Sequence, residues 1–465
     1  MTFAATIESV RQHQIPDWYH DAKFGIFIHW GLYSVPGWAP LSGDISQTIK
    51  ELGPEYWFAS NSYAEWYLNS MKFENGPTRK YHDATYGPDF AYEDFAPHFN
   101  EAVKNWNPED MAALFQRAGA RYTVLTTKHH DGFTLWPSAH PCPTRPGYQA
   151  SRDVTGELSS AVRARGLRMG LYYSGGLDWA VSEARVENLR DVWGTIVQTP
   201  EFVAYSTAHW RELIDRYQPS IMWNDIGAPW AMDLPELFAY YYNQVPDGVI
   251  NDRFGQTMPV MKENGGIEGH PVGVHYDYVT PEYASFETRQ TQKWETTRGI
   301  GHSFGYNRDE GDDQLLALPA LVHLFVDIVS KNGNLLLNVG PMADGTIPAN
   351  QRERLEEFGR WLDVNGEGMF GTRPWSTAES ETTDGLGVRF TTQGEAVYAT
   401  LLGTPGERKI SIVGLGANLN TSCQLLGQAS VLPWQQDGDN LTITLPEQLP
   451  DSPAHSLKLM AVSVP

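Results

Sequence analysis

The chain has 465 residues, is 41% hydrophobic and carries a formal net charge of -22. This length exceeds one ordinary hydrophobic core and predicts at least two domains. The negative charge disfavours nucleic acids and anionic membranes as partners. The two cysteines, Cys142 and Cys423, exclude a disulfide framework and a cysteine-based metal site.

No stretch of about 20 apolar residues is visible, so we expect no segment that spans a membrane. The segment Met1–Arg11 has neither a basic region nor an apolar core typical of a secretory leader. We therefore expect a cytoplasmic protein, unless a leader lies outside this sequence.

Short apolar runs, several of them β-branched or aromatic, recur along the first three-quarters of the chain and predict strands. These runs are Phe24–Ile28, Tyr122–Leu125, Leu167–Tyr173, Ile221–Trp223, Val249–Ile250 and Leu335–Leu337.

Amphipathic stretches lie between these runs. The clearest begins with the capping residue Asn107 and Pro108 and ends at Gly119. Others begin at Thr155 and Asn350. Strands that alternate with helices predict a parallel sheet.

Two architectures fit this alternation, a (β/α)8-like barrel and a doubly wound sheet. No glycine-rich phosphate loop follows the first strand, which favours the barrel. After about Gly371 the helical signals stop, and short strands alternate with Gly, Pro and Asp turns. We therefore expect an α/β catalytic barrel over residues 1–372 and a C-terminal antiparallel β-sandwich over residues 373–465.

Polar, aromatic and ionisable residues follow five of the predicted strands. They are His29–Gly31, Lys128–Gly132, Tyr172–Gly176, Trp223–Asp225 and Asn251–Arg253. The carboxyl ends of barrel strands meet at one face, where barrel enzymes place their active sites. Aromatic rings can pack on the C–H face of a sugar ring while imidazoles, carboxylates and arginine bind its hydroxyls.

Asp225 is the strongest candidate nucleophile, because it ends an apolar strand and shares a face with Trp223. Glycoside hydrolysis requires a second carboxyl group. Spacing alone leaves the choice open among Glu65, Asp178, Glu268, Glu282, Glu287 and Glu295.

A metal-assisted hydrolase is the alternative enzyme, with His129, His130 and Asp225 as ligands. No H-x-x-x-H or H-x-H spacing supports it. Adjacent histidines on a strand point to opposite faces unless the backbone bends. We therefore expect no metal.

At these residues the chain resembles the α-L-fucosidases of glycoside hydrolase family 29. The similar motifs are Trp18–Gly31, Ala64–Trp66, Tyr122–Trp136, Gly170–Trp179, Trp223–Gly227, Asn251–Gly255, Trp294–Asn307 and Gly333–Pro341. They occur in order along the whole predicted barrel, and together they are highly specific.

The resemblance implies an exo-acting enzyme that hydrolyses terminal α-L-fucosides with retention, through a fucosyl-enzyme intermediate and without a metal or organic cofactor. It places the nucleophile at Asp225. It places fucose-binding side chains at His29, Glu65, Trp66, His129, His130, Tyr172, Trp223 and Arg253. The remaining alternative is a non-catalytic fucose-binding protein.

The general acid/base is the least defined role, because family members differ in the loop that supplies it. The segment Tyr278–Tyr283 resembles the bacterial branch, in which the Glu of a Pro-Glu-Tyr segment performs this role, and so indicates Glu282. Glu65 and Glu295 are the alternatives. We expect Glu65 to orient a fucose hydroxyl and Glu295 to support the site from a distance.

Overall fold

The computed structural model describes residues 2–43, 45–262 and 266–463. A 7-stranded sheet of parallel strands, in the order β5-β4-β3-β2-β1-β7-β6, forms the centre of the first part of the chain. Its strands are β1 (Phe24–Ile28), β2 (Tyr122–Lys128), β3 (Arg168–Ser174), β4 (Ile221–Asp225), β5 (Val249–Ile250), β6 (Trp294–Gly299) and β7 (Gly333–Val339).

The segment Asp277–Tyr283 joins the two edge strands of this sheet, β5 and β6. Parallel bridges pair Tyr278 with Asn251 and Val279 with Trp294. The segment therefore occupies the position of a further strand, and the curved sheet is barrel-like, as predicted.

Helices cover the outside of the sheet and make the crossovers that parallel strands require. Their bounds are α1 (Ile7–Val10), α2 (Asp17–Ala22), α3 (Ile45–Leu52), α4 (Pro54–Ala59), α5 (Tyr67–Ser70), α6 (Pro77–Tyr86), α7 (Phe95–Ala102), α8 (Pro108–Arg117), α9 (Val154–Ala164), α10 (Leu189–Gly194), α11 (Pro200–Tyr217), α12 (Leu234–Gln244), α13 (Leu318–Ser330) and α14 (Ala349–Asn365).

The ends of α8 and α9 show how local sequence sets these boundaries. The side chain of Asn107 accepts a hydrogen bond from the backbone N–H of Glu109, and Gly119 adopts φ +83° just beyond α8. Both features were predicted. Helix α9 begins at Val154, one residue before the predicted Thr155, because Asp153 provides the cap.

The barrel departs from regular alternation in two connections. Six α-helices, α3 to α8, lie between β1 and β2 in the part of the chain that the structure describes. Between β5 and β6, the described residues 251–262 and 266–293 contain no helix. These long connections carry several of the predicted site residues to the carboxyl ends of the strands.

Helix α13 belongs to a segment, Asp312–Ser330, whose length and composition alone would allow it to cross a membrane. The α-helix itself has 13 residues, or about 20 Å at 1.5 Å per residue. A bilayer core is about 30 Å thick. Leu321, Phe325 and Ile328 are buried in the barrel core, so α13 packs as a core helix in this structure.

Antiparallel strands make up the chain from Arg373 onward. They are β8 (Arg373–Glu381), β9 (Gly387–Gln393), β10 (Ala396–Leu401), β11 (Lys409–Ile412), β12 (Gly416–Leu425), β13 (Trp434–Asp437), β14 (Asn440–Thr444) and β15 (His455–Ser463). A 5-stranded sheet (β12-β15-β10-β9-β8) and a 3-stranded sheet (β11-β14-β13) enclose a second apolar core. This arrangement is the predicted β-sandwich.

The sandwich packs on α13 and α14. Trp361 donates a hydrogen bond from Nε1 to the carbonyl of Ala454 at 3.1 Å. Arg389 forms an ion pair with Asp327 at 2.6 Å. These contacts lie on the outer helical layer, whereas the cavity described below is lined by residues 27–304.

Candidate active site

A cavity of about 420 Å³ lies at the carboxyl ends of the barrel strands. Every site residue predicted from the sequence lines it. These residues are His29, Glu65, Trp66, His129, His130, Tyr172, Trp223, Asp225, Arg253 and Glu282. They come from connections far apart in the chain, so the fold brings the whole predicted set together.

Asp225 is the last residue of β4 and is 9% exposed. Tyr172 donates a hydrogen bond to its Oδ2 at 2.9 Å, and Arg253 donates to its Oδ1 at 2.9 Å. Burial raises the pKa of this carboxyl, but the charge of Arg253 and the two hydrogen bonds outweigh burial and hold the pKa below its ordinary value. Asp225 is therefore an anion at neutral pH.

Arg253 connects Asp225 to Glu282. Its Nη1 donates to Asp225, and its Nη2 donates to Oε2 of Glu282 at 3.2 Å. The hydroxyl and carbonyl of Thr280 accept two further hydrogen bonds from the guanidinium, at 2.9 and 3.1 Å. One fixed guanidinium therefore holds both predicted catalytic carboxyl groups in the same cavity.

Glu282 is more accessible than the nucleophile candidate. Its side chain is 31% exposed, against 12% for Asp225. The hydroxyl of Tyr63 donates to its Oε1 at 3.2 Å. Glu282 thus lies nearer to solvent than Asp225.

Two histidines present acceptor nitrogens to the cavity. Nδ1 of His29 lies 2.6 Å from Oδ1 of Asn338, whose amide nitrogen donates elsewhere, to Phe304. Nδ1 of His130 lies 2.6 Å from the Ser174 hydroxyl, which itself donates to a backbone carbonyl. Both Nδ1 atoms must therefore be donors, which leaves Nε2 as the acceptor in each neutral ring.

Burial keeps these rings neutral. It lowers the pKa of His29 to about 3 and that of His130 to about 4. Burial also lowers the pKa of His129, with help from the neighbouring histidines. His129 and His130 face the same cavity because β2 ends at Lys128 and the chain then turns, with Gly132 at φ +81°.

Aromatic rings form the floor of the cavity. Tyr172 stacks on Trp223 with ring centroids 5.4 Å apart, and Phe27 packs on the same indole at 4.9 Å. The guanidinium of Arg253 lies 4.8 Å from the Trp223 ring. Trp66 contacts His130 edge-on from the side.

Glu295 lies beneath this floor and does not line the cavity. It accepts hydrogen bonds from Trp223 Nε1 at 3.1 Å and from the hydroxyls of Tyr19 and Tyr122 at 3.0 and 2.5 Å. Burial raises its pKa to about 7. These contacts fit the supporting role expected for Glu295.

Glu65 lies in the cavity wall and is 2% exposed. Its Oε2 accepts a hydrogen bond from the backbone N–H of Gly305 at 2.7 Å. Burial raises its pKa to about 8. At neutral pH Glu65 is therefore a carboxylic acid, and its hydroxyl can donate a hydrogen bond into the cavity.

The other carboxylates considered lie outside the cavity lining. Asp178 forms a buried ion pair with Lys128 at 2.7 Å, while Glu268 and Glu287 are exposed. Among the described residues, the His/Asp group with ligand atoms close enough for a metal is His13, His275 and Asp277. That group contains none of His129, His130 and Asp225, the ligands of the metal-assisted alternative.

Sequence reasoning did not single out several residues that set this geometry. Tyr63 contacts Glu282, Thr280 fixes Arg253, and Asn338 and Ser174 fix the two imidazoles. Each lies inside or beside a motif quoted above, which was the available signal. Their partners are distant in sequence, so their roles depend on the fold.

Two family models match the chain. One, described as Alpha-L-fucosidase, covers residues 1–367, and the other, Alpha-L-fucosidase C-terminal domain, covers residues 381–460. The tissue alpha-L-fucosidase of Rattus norvegicus is 33% identical over 98% of this chain and 92% of that protein. Its Homo sapiens counterpart is 32% identical over 96% of this chain and 88% of that protein.

Solved structures show the same likeness. The Thermotoga maritima alpha-fucosidase in complex with a mechanism-based inhibitor is 42% identical, with a TM-score of 0.87, over 98% of this chain and 100% of that one. The same enzyme in complex with fucose gives 41% identity and a TM-score of 0.86 over 98% and 100% of the two chains. The barrel and the sandwich agree with these matches, and the chain belongs to the alpha-L-fucosidase family, glycoside hydrolase family 29.

Proposed function

We propose that this α-L-fucosidase is exo-acting and retaining, with Asp225 as nucleophile and Glu282 as general acid/base. The observation that carries the proposal is the single guanidinium of Arg253, which donates to both carboxyl groups at 2.9 and 3.2 Å. A nucleophile must be ionised, and the lowered pKa of Asp225, set by Arg253 and the hydrogen bond from Tyr172 against the effect of burial, meets that requirement.

In the first step, a carboxylate oxygen of Asp225 attacks the anomeric carbon of a terminal α-L-fucoside. The glycosidic C–O bond breaks, and Glu282 transfers its proton to the departing oxygen. The greater exposure of Glu282 supports this assignment, because the leaving group must exit toward solvent.

In the second step, Glu282 accepts a proton from water, and the water oxygen attacks the anomeric carbon from the face that the leaving group vacated. The bond between that carbon and Asp225 breaks. Two inversions give net retention, and L-fucose is released. The chain itself supplies both groups that act in these two steps, Asp225 and Glu282. We therefore expect chelators to leave the activity unchanged.

Sugar recognition uses neutral donors and acceptors. Nε2 of His29 and of His130 accept hydrogen bonds from hydroxyls, and protonated Glu65 donates one. The aromatic floor formed by Tyr172 and Trp223 suits the methyl group and the C–H face of fucose. Because Trp223 and Glu295 close the bottom of the cavity, a chain of sugars cannot pass through, which supports exo action.

Azide rescue tests the two roles. Asp225→Gly and Glu282→Ala should each lose most activity on an aryl α-L-fucoside. Azide should restore turnover of Asp225→Gly and yield the β-fucosyl azide. With Glu282→Ala, azide should yield the α-fucosyl azide. Near-normal turnover by Glu282→Ala would move the acid/base role to Glu65 or Glu295.

A further inference from the structure

The outer part of the cavity is apolar on the side of α10. Leu189, Val192 and Trp193 of that helix line it, together with Ile226, the residue that follows Asp225. We refer to these four residues as the α10 wall. Val192 is buried, whereas the other three are half-buried. The buried fucose-binding residues thus form the inner part of the cavity, and the α10 wall lies nearer to solvent.

The α10 wall lies beside the loop Ile226–Gly227, which follows Asp225. The backbone N–H of Val197, just after α10, donates to the carbonyl of Gly176 at 3.1 Å. A Cβ atom added at Gly227 would lie 2.8 Å from Cδ1 of Ile196, two residues after the end of α10. The loop after Asp225 and the segment after α10 are therefore in close contact. A group leaving the anomeric carbon toward solvent would therefore pass the α10 wall.

Intramolecular hydrogen bonds hold this wall in place. The side chain of Asn188 caps α10 by accepting from two backbone N–H groups at 3.0 and 3.1 Å. Buried Asn69, on the helix that follows Glu65 and Trp66, makes paired hydrogen bonds with the backbone of Val186 at 2.9 and 3.0 Å. A preformed wall can bind without an ordering cost.

We infer that the α10 wall is the binding site for the leaving group, and that it selects leaving groups with a flat apolar face, which stack on the indole of Trp193. This inference rests on the proposed function. Aromatic rings and the C–H face of a pyranose share this chemistry. Two kinds of leaving group therefore fit the α10 wall, an aryl aglycone and the sugar residue to which fucose is linked. The experiment must separate these two.

The test compares three substrates. α-L-Fucosyl fluoride carries no ring in the leaving group, 4-nitrophenyl α-L-fucoside carries an aryl ring, and an α-L-fucosyl disaccharide carries a sugar. For Trp193→Ala we expect kcat/KM to fall about three- to tenfold on a ringed substrate. This fall should arise mainly from an increase in KM. Hydrolysis of the fluoride should be unchanged. Trp193→Phe should recover most of the loss.

Trp230→Ala is the matched control, because Trp230 is 54% exposed and does not line the cavity. It should leave all three substrates unchanged. A loss confined to the aryl fucoside identifies an aryl aglycone, and a loss on the disaccharide identifies a sugar. The inference would be overturned if Trp193→Ala lost as much kcat/KM on the fluoride as on the ringed substrates. It would also be overturned if the variant lost no kcat/KM on either ringed substrate. A wild-type enzyme inactive on the fluoride would instead contradict the proposed function.

Discussion

Replacing Arg253 by methionine should raise the pKa of Asp225 and move the acidic limb of the pH profile upward. In the wild type, burial raises the pKa of Asp225, and Arg253 is the first of the groups that lower it. The substitution removes the charge and the hydrogen bond at 2.9 Å but leaves the carboxyl buried. Its anionic form then loses its main stabilising partner.

A hydrogen bond to a charged group contributes about 1.5–3 kcal/mol. Since one pKa unit corresponds to about 1.4 kcal/mol, the expected shift is about one to two units. Arg253→Lys keeps the charge but loses the rigid two-nitrogen geometry of the guanidinium, so we expect a shift smaller than that of Arg253→Met.

The assay is kcat/KM on an aryl α-L-fucoside between about pH 3 and 9 for the three enzymes. Lys409→Met serves as control, because it removes one positive charge from an exposed position in the sandwich. Its profile should match the wild type. An unchanged acidic limb in Arg253→Met would refute the electrostatic reasoning for Asp225.

Three further predictions concern buried polar groups. Burial raises the pKa of Glu65 to about 8. The KM of the wild type should therefore increase as the pH rises through 8. The KM of Glu65→Gln, measured over the same pH range, should stay constant. Lys128→Met leaves the buried carboxylate of Asp178 without its counter-charge and should reduce stability to urea by about 3–5 kcal/mol; an unchanged unfolding midpoint would contradict this. Glu295→Gln can still accept from Trp223, so we expect kcat within a few-fold of wild type; a loss of several orders of magnitude would make Glu295 the acid.

The barrel and the sandwich were predictable because their signals are local. The run Phe24–Ile28 matches β1, and the capped stretch after Asn107 matches α8. Strand β6 is absent from the apolar runs predicted as strands, and the segment Asp277–Tyr283 pairs through isolated bridges rather than a regular ladder. In the sandwich, the runs Gly385–Thr391, Ala396–Leu402, Lys409–Val413 and Asn440–Leu445 predict β9, β10, β11 and β14, whereas β8, β12, β13 and β15 were missed.

The candidate site was predictable as a set of residues but not as a hydrogen-bond network. Motif resemblance placed Asp225, Arg253 and Glu282 in one site, and the structure places all three in one cavity. The protonation of Glu65 depends on burial, and the tautomer of His29 depends on a residue 309 positions away. Such properties arise only after folding, so residue spacing could not supply them.

The identity of the nucleophile is the central claim, and trapping the intermediate tests it most directly. The enzyme would be incubated with 2-deoxy-2-fluoro-α-L-fucosyl fluoride, digested, and the modified peptide sequenced by mass spectrometry. We predict one fluorofucosyl group, attached through an ester to Asp225. A label on Glu65 or Glu282, with Asp225 unmodified, would contradict the account.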